Sequence, residues 1–473
     1  MKLKSEQQYI ELFQQCRQLL SSRSDVVLDA LRDEAFSIFK RIGLPDKKVE
    51  RYKYTDVQEA FSPNYGLNLN RLEFPVNPYD VFKCDVPNMS TLLYFIVNDA
   101  FHSKEFPNVK PSEGIIINSL NMAAQLYPDL VSKYYGQIVR KAESPLTNQK
   151  EGQMIDGAFV PMQKNNEPDA ITALNTMLVQ DGLFIYVPKN TVSDKAIQII
   201  NILTSTVDLM VNRRVLVVME EGAKAKLLFC DESMADVNML ATQVMEVYVG
   251  EGSELELYEL ENTNMKNKRF SNLYVQQHAK SKVTLNSLSL HNGFTRNMTH
   301  VSLVGEESEI NLYGGVIADK EQHVDNHTLV DHQVPKCVSN ELFKYVLDDS
   351  AVGAFAGRIL VRNEAQKTES QETNANLCVT KNARMFTQPM LEIYADDVKC
   401  NHGATVGQLN EAALFYMRQR GLSLDEAKLL LKFAFVGEVI DKVDLEPLRD
   451  RFHYLVEKRF RGELNKCSGC RLC

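Results

Sequence analysis

Along the middle of the chain, from about residue 194 to 403, apolar and polar residues trade places at every second position. The segments VLVVM, AKLLF, MEVYV, LELYEL, KVTLNSLSL, EINLYGGV and RILVR are short, alternating and rich in Val, Leu, Ile and Tyr. That is the pattern of half-buried β-strands. Polar or glycine-containing turns introduce several of them: EEGAKAKL from Glu220, GEGSELEL from Gly250, AKSKVTL from Ala279 and EESEINL from Glu306. The turns recur roughly every 27 to 30 residues, a period typical of solenoids. With no helical pattern between the strands, a parallel β-helix of stacked coils is predicted. A β-sandwich is the alternative, although it would not require the repeated turn.

The flanks carry a helical period instead. In residues 5–42, Tyr9, Leu12, Phe13, Cys16, Leu19 and Leu20 recur at helical spacing, as do Leu28, Leu31, Ala35, Ile38, Phe39 and Ile42. Two amphipathic helices are predicted, ending at Gly43 and Pro45. Further on, TLLYFIV and GIIIN read as buried strands, LNMAAQLYPDLVSKYYGQIV as a helix interrupted near Pro128, and residues 144–149 as a linker. After Gly407 the pattern is helical again: one helix ends at Gly421, and Ser423 with Glu426 forms a capping box. That box opens a helix with Ala427, Leu430, Leu431 and Ala434 on one face, and Pro447 begins a last helix bearing Leu448, Phe452, Leu455 and Val456. Such helices could cap an open solenoid end. The chain divides into an N-terminal helical and mixed α/β domain (1–150), a β core (151–405), a C-terminal helical domain (406–462) and a cysteine-rich tail (463–473).

Composition narrows the function classes. The 473 residues are 44% hydrophobic and 24% charged, ordinary for a soluble globular protein. A net charge of −9 argues against a general affinity for nucleic acid or anionic membrane. No apolar run reaches the ~18 residues of a spanning helix, and MKLKSEQQYIELF lacks an apolar signal core. The expected setting is cytoplasmic, with the nine scattered cysteines reduced. Phosphate-loop, H-E-x-x-H, G-x-S-x-G and G-x-G-x-x-G motifs are missing, so nucleotide energy would have to come from a partner. The lack of an export signal also argues against a polysaccharide-cleaving β-helix enzyme.

Three stretches carry candidate chemistry. In LEIYADDVKCNHGATVGQL a strand begins with Leu391, Ile393 and Ala395 on its odd face. Cys400 and His402 share the even face, and point outward if the odd face packs inward, unless a bulge near Asp396 and Asp397 shifts the parity. A thiolate beside an imidazole suits zinc, copper or iron–sulfur chemistry; a plain structural role is the alternative. In HVDNHTLVDH, His323, Asp325, His327 and Asp331 share one strand face and His332 takes the other. A metal site is possible there, but a hydrogen-bonding ladder between coils is the favoured reading. The tail KCSGCRLC spaces Cys467, Cys470 and Cys473 as C-x-x-C-x-x-C, able to reach one tetrahedral metal or a cluster edge with a position left open. It makes a thiol-based metal or iron–sulfur carrier an alternative function; a redox-prone tail without a ligand is the other reading. Cys16, Cys84, Cys230 and Cys378 are expected to be structural, and Cys337, after Pro335, is left more open.

The string EIYADDVKCNHGATVGQL, followed by ALFYMRQRG, resembles the signature of the SufD family of iron–sulfur cluster assembly proteins. The related SufB subunit lacks the C-x-H-G core here. HVDNHTLVDH with its sequel PKCVSNELFKYVLDDSAVGAFAGRILVRNEAQKTESQ is also similar to the family, as are ALNTMLVQDGLFIYVPKN and, more loosely, LPDKKVERYKYTDVQEAF. In the last, Tyr52 stands where the family usually has a tryptophan; in the sequel to the histidine string, apolar Ala351 and Val352 stand where the family commonly has a basic residue. The resemblance implies a right-handed parallel β-helix core flanked by helical domains, and a non-catalytic scaffold subunit. It further implies pairing with SufB, or with itself in isolation, and docking of the ATPase SufC on the C-terminal helices that carry Leu414, Phe415, Tyr416, Arg418, Arg420 and Gly421. His402, with Cys400 less firmly, would hold a nascent cluster of iron and sulfide at the SufB interface. ATP would enter only through SufC, and no cofactor would be bound tightly by this chain alone.

Overall fold

In the computed structural model, which describes residues 5–81, 86, 89–102, 114–142, 152–155, 158–161 and 168–463, the middle of the chain winds into a parallel β-solenoid of about eight turns. Each turn gives one strand to each of two sheets. The first sheet runs through Leu183–Val187, Leu209–Met219, Met239–Val249, Asn267–Gln277, Phe294–Leu303, His323–His332, Val352–Val361 and Arg384–Ile393. The second runs through Ala196–Leu203, Lys224–Ser233, Glu254–Asn262, Lys282–His291, Glu309–Ala318, Val338–Leu347, Glu369–Cys378 and Lys399–Gly407. Equivalent residues of successive coils pair in parallel, as in Leu227–Leu257–Leu285–Leu312, so like side chains stack in columns inside the coil. The sandwich alternative is excluded.

The repeated turn closes each coil. Gly222, Gly252, Lys280, Glu307, Lys336 and Lys367 stand at one corner of successive coils with φ of 69°, 64°, 56°, 62°, 62° and 64°. Left-handed backbone is strained for a side-chain-bearing residue, and the lattice of bonds between coils holds it there. Gly252 N–H donates to Ala279 O at 2.9 Å, and Lys280 N–H to Glu306 O at 2.9 Å. The next residue at each corner turns inward and must be small: Ala223, Ser253, Ser281, Ser308, Cys337 and Thr368 are all buried. Cys337 belongs to this column, beside Ser308 Oγ at 3.2 Å, and its role is structural.

The N-terminal helices cover the outer face of the first sheet. Three segments form, not two: Glu6–Ser22, Val26–Asp29 and Arg32–Ile42, because Asp25 caps a new turn by accepting the Val27 N–H at 2.9 Å. Tyr9, Phe13, Leu20, Ala35 and Phe39 pack with Leu174 and Met177 of helix Ala170–Leu178 onto Met210, Leu240 and Phe270. Ile42 lies outside this core, 38% exposed beside the stop at Gly43. Tyr52 fills the aromatic slot: its ring lies under the Arg296 guanidinium and its hydroxyl donates to Asp169 at 2.5 Å. Thr91–Val97 extends the second sheet, and Ile116–Ser119 joins the start of the first. The predicted helix around Pro128 is three short ones, Leu120–Leu126, Pro128–Tyr134 and Gln137–Ala142. Residues 144–149 and Cys84 lie outside the described residues.

The C-terminal helices Glu411–Gln419, Leu424–Ile440 and Glu446–Phe460 do not cap the solenoid. They fold back along the outer face of the second sheet, where Val436, Ile440, Leu448, Phe452 and Val456 join Ile200, Leu228, Tyr258 and Leu288 in one core. Asn286 Nδ2 donates to Val439 O at 2.9 Å, and Arg459 reaches Leu290 O at 2.8 Å and Asp319 at 2.8 Å. The buried face of Leu424–Ile440 is Ala427, Leu429, Val436, Val439 and Ile440, whereas Leu430 and Ala434 are exposed. This helix is apolar on nearly every side, so periodicity alone did not select the face. Ser423 caps it, accepting the Glu426 N–H at 3.1 Å, while the Glu426 carboxylate turns away to Arg461.

Candidate functional site

Because the terminal helices lie on the two outer faces, the last coil is left open among the described residues. Its edge strands are Arg384–Ile393 and Lys399–Gly407, the terminal members of the two sheets. The predicted single strand from Leu391 to His402 is therefore two strands joined by a corner. Tyr394 N–H bonds Val361 O at 2.9 Å, Asp397 O accepts from Lys367 N–H at 2.6 Å, and Lys399 N–H bonds Thr368 O at 2.9 Å.

That corner is the parity shift near Asp396 and Asp397 on which the outward facing of Cys400 and His402 is conditional, so they do not point outward. Leu391, Ile393 and Ala395 pack inward, as read from the sequence, but the corner shifts the parity and Cys400 packs inward with them, against Ile359, Val361 and Ala365. Cys400 lies in register with Ser370, and His402 with Glu372 and, one coil deeper, Glu341. Since no further coil covers them, Cys400 is half-buried and His402 exposed at the solenoid mouth. Burial pushes the Cys400 thiol up, so at neutral pH it is a protonated thiol whose proton a bound metal would displace. The two side chains could supply two donors of a tetrahedral set. Among the described residues, no three His, Cys, Asp or Glu side chains meet at one metal position. The acidic residues behind His402 escaped sequence reasoning; once the register is known, the signal is a carboxylate at an inward strand position.

The histidine strand is a hydrogen-bonded ladder. Asp325 accepts from Thr55 Oγ1 and faces Arg296 of the preceding coil at 3.6 Å; His323 stacks on Phe294 with ring centroids 4.5 Å apart. Asp331 takes both arms of Arg362, at 2.8 and 2.6 Å. His332 turns inward to Ser339 Oγ at 2.9 Å. Cys230 is buried, and Cys16 and Cys378 are part-buried against apolar clusters. Cys467, Cys470 and Cys473 lie outside the described residues.

Directly after the open-end strand, Asn410 caps helix Glu411–Gln419 by accepting the Ala413 N–H at 3.0 Å. Phe415 and Tyr416 stand 66% and 58% exposed, with the Arg420 guanidinium 4.9 Å from the Tyr416 ring centroid. Arg418 and Gly421 are also on the surface, Gly421 at φ 91°. Leu414 is not: at 6% exposure it is buried, and of the predicted docking residues it is the one not displayed at the surface.

Residues 202–435 match the family model of the SUF system FeS cluster assembly SufBD core domain, and residues 3–199 that of the SufBD protein N-terminal region. A solenoid core with a thiol and an imidazole at its mouth is therefore the core of a SUF-system protein, and the chain belongs to the SufBD family. Relatives named iron–sulfur cluster assembly protein SufD include that of Escherichia coli, 30% identical over 242 residues, covering 51% of this chain and 57% of the relative. The SufD of Bacillus subtilis is 23% identical over 474 residues, 97% of this chain and 99% of the relative. A SufBD family protein of Synechocystis is 25% identical over 467 residues, 96% and 93% of the two chains.

Proposed function

We propose that this chain is the SufD-type, non-catalytic subunit of a cluster-assembly scaffold, pairing through its open solenoid end with a SufB-type partner. The observation that carries this is the last coil, uncapped and with two unpaired sheet edges among the described residues, and Cys400 and His402 side by side at its mouth. Unpaired edges seek another strand, and two ligands seek two more from the partner. A neutral imidazole is a labile ligand beside thiolates, which suits a cluster of iron and sulfide meant to be handed on. In this reading Phe415, Tyr416, Arg418, Arg420 and Gly421 receive the ATPase SufC, whose ATP hydrolysis drives the shape change. The working place is the cytoplasm; among the described residues no helix is long and apolar enough to cross a membrane.

The test is co-purification with SufB and SufC, then anaerobic reconstitution with iron and sulfide. His402→Ala is expected to leave the complex intact and lower cluster yield several-fold. A silent His402→Ala would reduce the subunit to a frame, and failure to form a complex would overturn the partner assignment.

A further inference from the structure

Glu341 and Glu372 are neighbours in one inward column of the second sheet, followed at the mouth by His402. Neighbouring strands lie about 4.8 Å apart, so the two carboxylates start one such step from each other. They are 2% and 0% exposed. Both reach toward adjacent positions of the facing sheet, Thr328 and Gly357, which pair with each other. Thr328 Oγ1 donates to Glu341 Oε2 at 2.7 Å. Among the described residues, the other three oxygens, Glu341 Oε1 and both of Glu372, have no hydrogen-bond partner. Gly357 is what leaves room, since a Cβ there would collide with the Glu372 carboxylate.

Two buried carboxylates with three bare oxygens are costly unless something positive or a shared proton lies between them. Burial pushes both carboxyls up, and the nearby Glu341 charge raises Glu372 further. No lysine or arginine answers them within the column: it continues on one side through Leu312, Leu285, Leu257 and Leu227 and ends on the other at His402. All the donors here are oxygens, the set that hard divalent cations prefer, with water completing the shell.

We propose that Glu341 and Glu372 form an internal divalent-cation site, one to two strand steps behind the solenoid mouth, with Glu372 as the principal ligand. Its role as a holding place for ferrous iron near His402 and Cys400 rests on the function proposed above; the binding itself does not.

Mn2+ serves as the probe, because an oxygen site takes it while the thiols of the tail prefer softer metals. The full chain, stripped of metal, is titrated with Mn2+ and followed by electron paramagnetic resonance, then with Fe2+ under anaerobic conditions. One bound Mn2+ per chain is expected, with at least tenfold weaker binding in Glu372→Gln and Glu341→Gln. Gly357→Ala, which crowds the carboxylate without removing charge, should weaken it as well. Thermal unfolding checks that each variant folds, and Glu341→Gln alone suffices should Glu372→Gln fail. No Mn2+ binding, or binding unchanged in both Gln variants, overturns the site and leaves a proton-sharing carboxyl pair. A chain that binds Mn2+ but never pairs with SufB would sink the scaffold reading while leaving this site standing.

Discussion

At the scale of single residues, the solenoid interior sets protonation more than local sequence does. His332 is fully buried, bonded at Nε2 to Ser339, with Nδ1 unpartnered. Burial, against the weaker pull of Asp331, brings its imidazole down to about 4. An unfolded imidazole titrates near about 6.5. Between those values the unfolded chain holds the extra proton, so this contribution is intact above about 6.5 and lost as pH falls toward 4. By pH 5 the loss from His332 is roughly 2 kcal/mol. Carboxyls such as the half-buried Glu232, pushed up to about 8 by desolvation, act in the opposite sense, so the whole chain's profile mixes both. His332→Gln isolates the histidine. Urea unfolding at pH 7 and pH 5 should show the variant losing less stability than the wild type over that interval. Equal losses would mean that the folded imidazole takes up its proton as readily as the unfolded one.

At the scale of elements, helix Glu411–Gln419 separates anchoring from display. Leu414 is buried, while Phe415 and Tyr416 point to solvent beside Arg420, an aromatic and arginine grouping typical of binding hot spots. Phe415→Ser with Tyr416→Ser is expected to weaken SufC binding by tenfold or more, measured by calorimetry, with little change in melting temperature. Leu414→Ser should do the reverse, lowering stability first. SufC affinity unchanged in the double variant would move the docking site elsewhere. Strand type was legible because alternation and the recurring corner at Gly222, Gly252, Lys280 and Glu307 are both local signals. Cys400 and His402 were legible as a pair for the same reason. Their direction was not, because a corner at residues 394–398 resembles continued strand until the bonds from Val361 and Lys367 are seen. The packed face of Leu424–Ile440 was hidden by apolar residues on every side, and the Glu341–Glu372 column by 31 positions of separation that only the register closes.

At the scale of the whole molecule, the two helical regions protect the outer faces of the sheets and leave one end bare. A solenoid that stops without a cap exposes the inward column of its last coil, here Cys400, His402, Ala404 and Val406, together with the free backbone of both edge strands. Val406 stands 53% exposed, although the same column in deeper coils holds Tyr345 and Val316, both buried. On the function proposed above, an apolar residue left at an edge in this way is where a partner's coil would cover the mouth. Self-pairing in isolation and pairing with a SufB-type solenoid would then compete for one surface. Sedimentation over a concentration series should reveal a reversible dimer of the isolated chain, and Val406→Asp should raise its dissociation constant at least tenfold by placing a charge in the closing coil. The same substitution should weaken SufB pairing while sparing SufC, whose proposed site is on the neighbouring helix. If Val406→Asp instead disrupts SufC binding and leaves both pairings alone, the open end is not the pairing surface, and Cys400 and His402 lose their claim to a shared cluster.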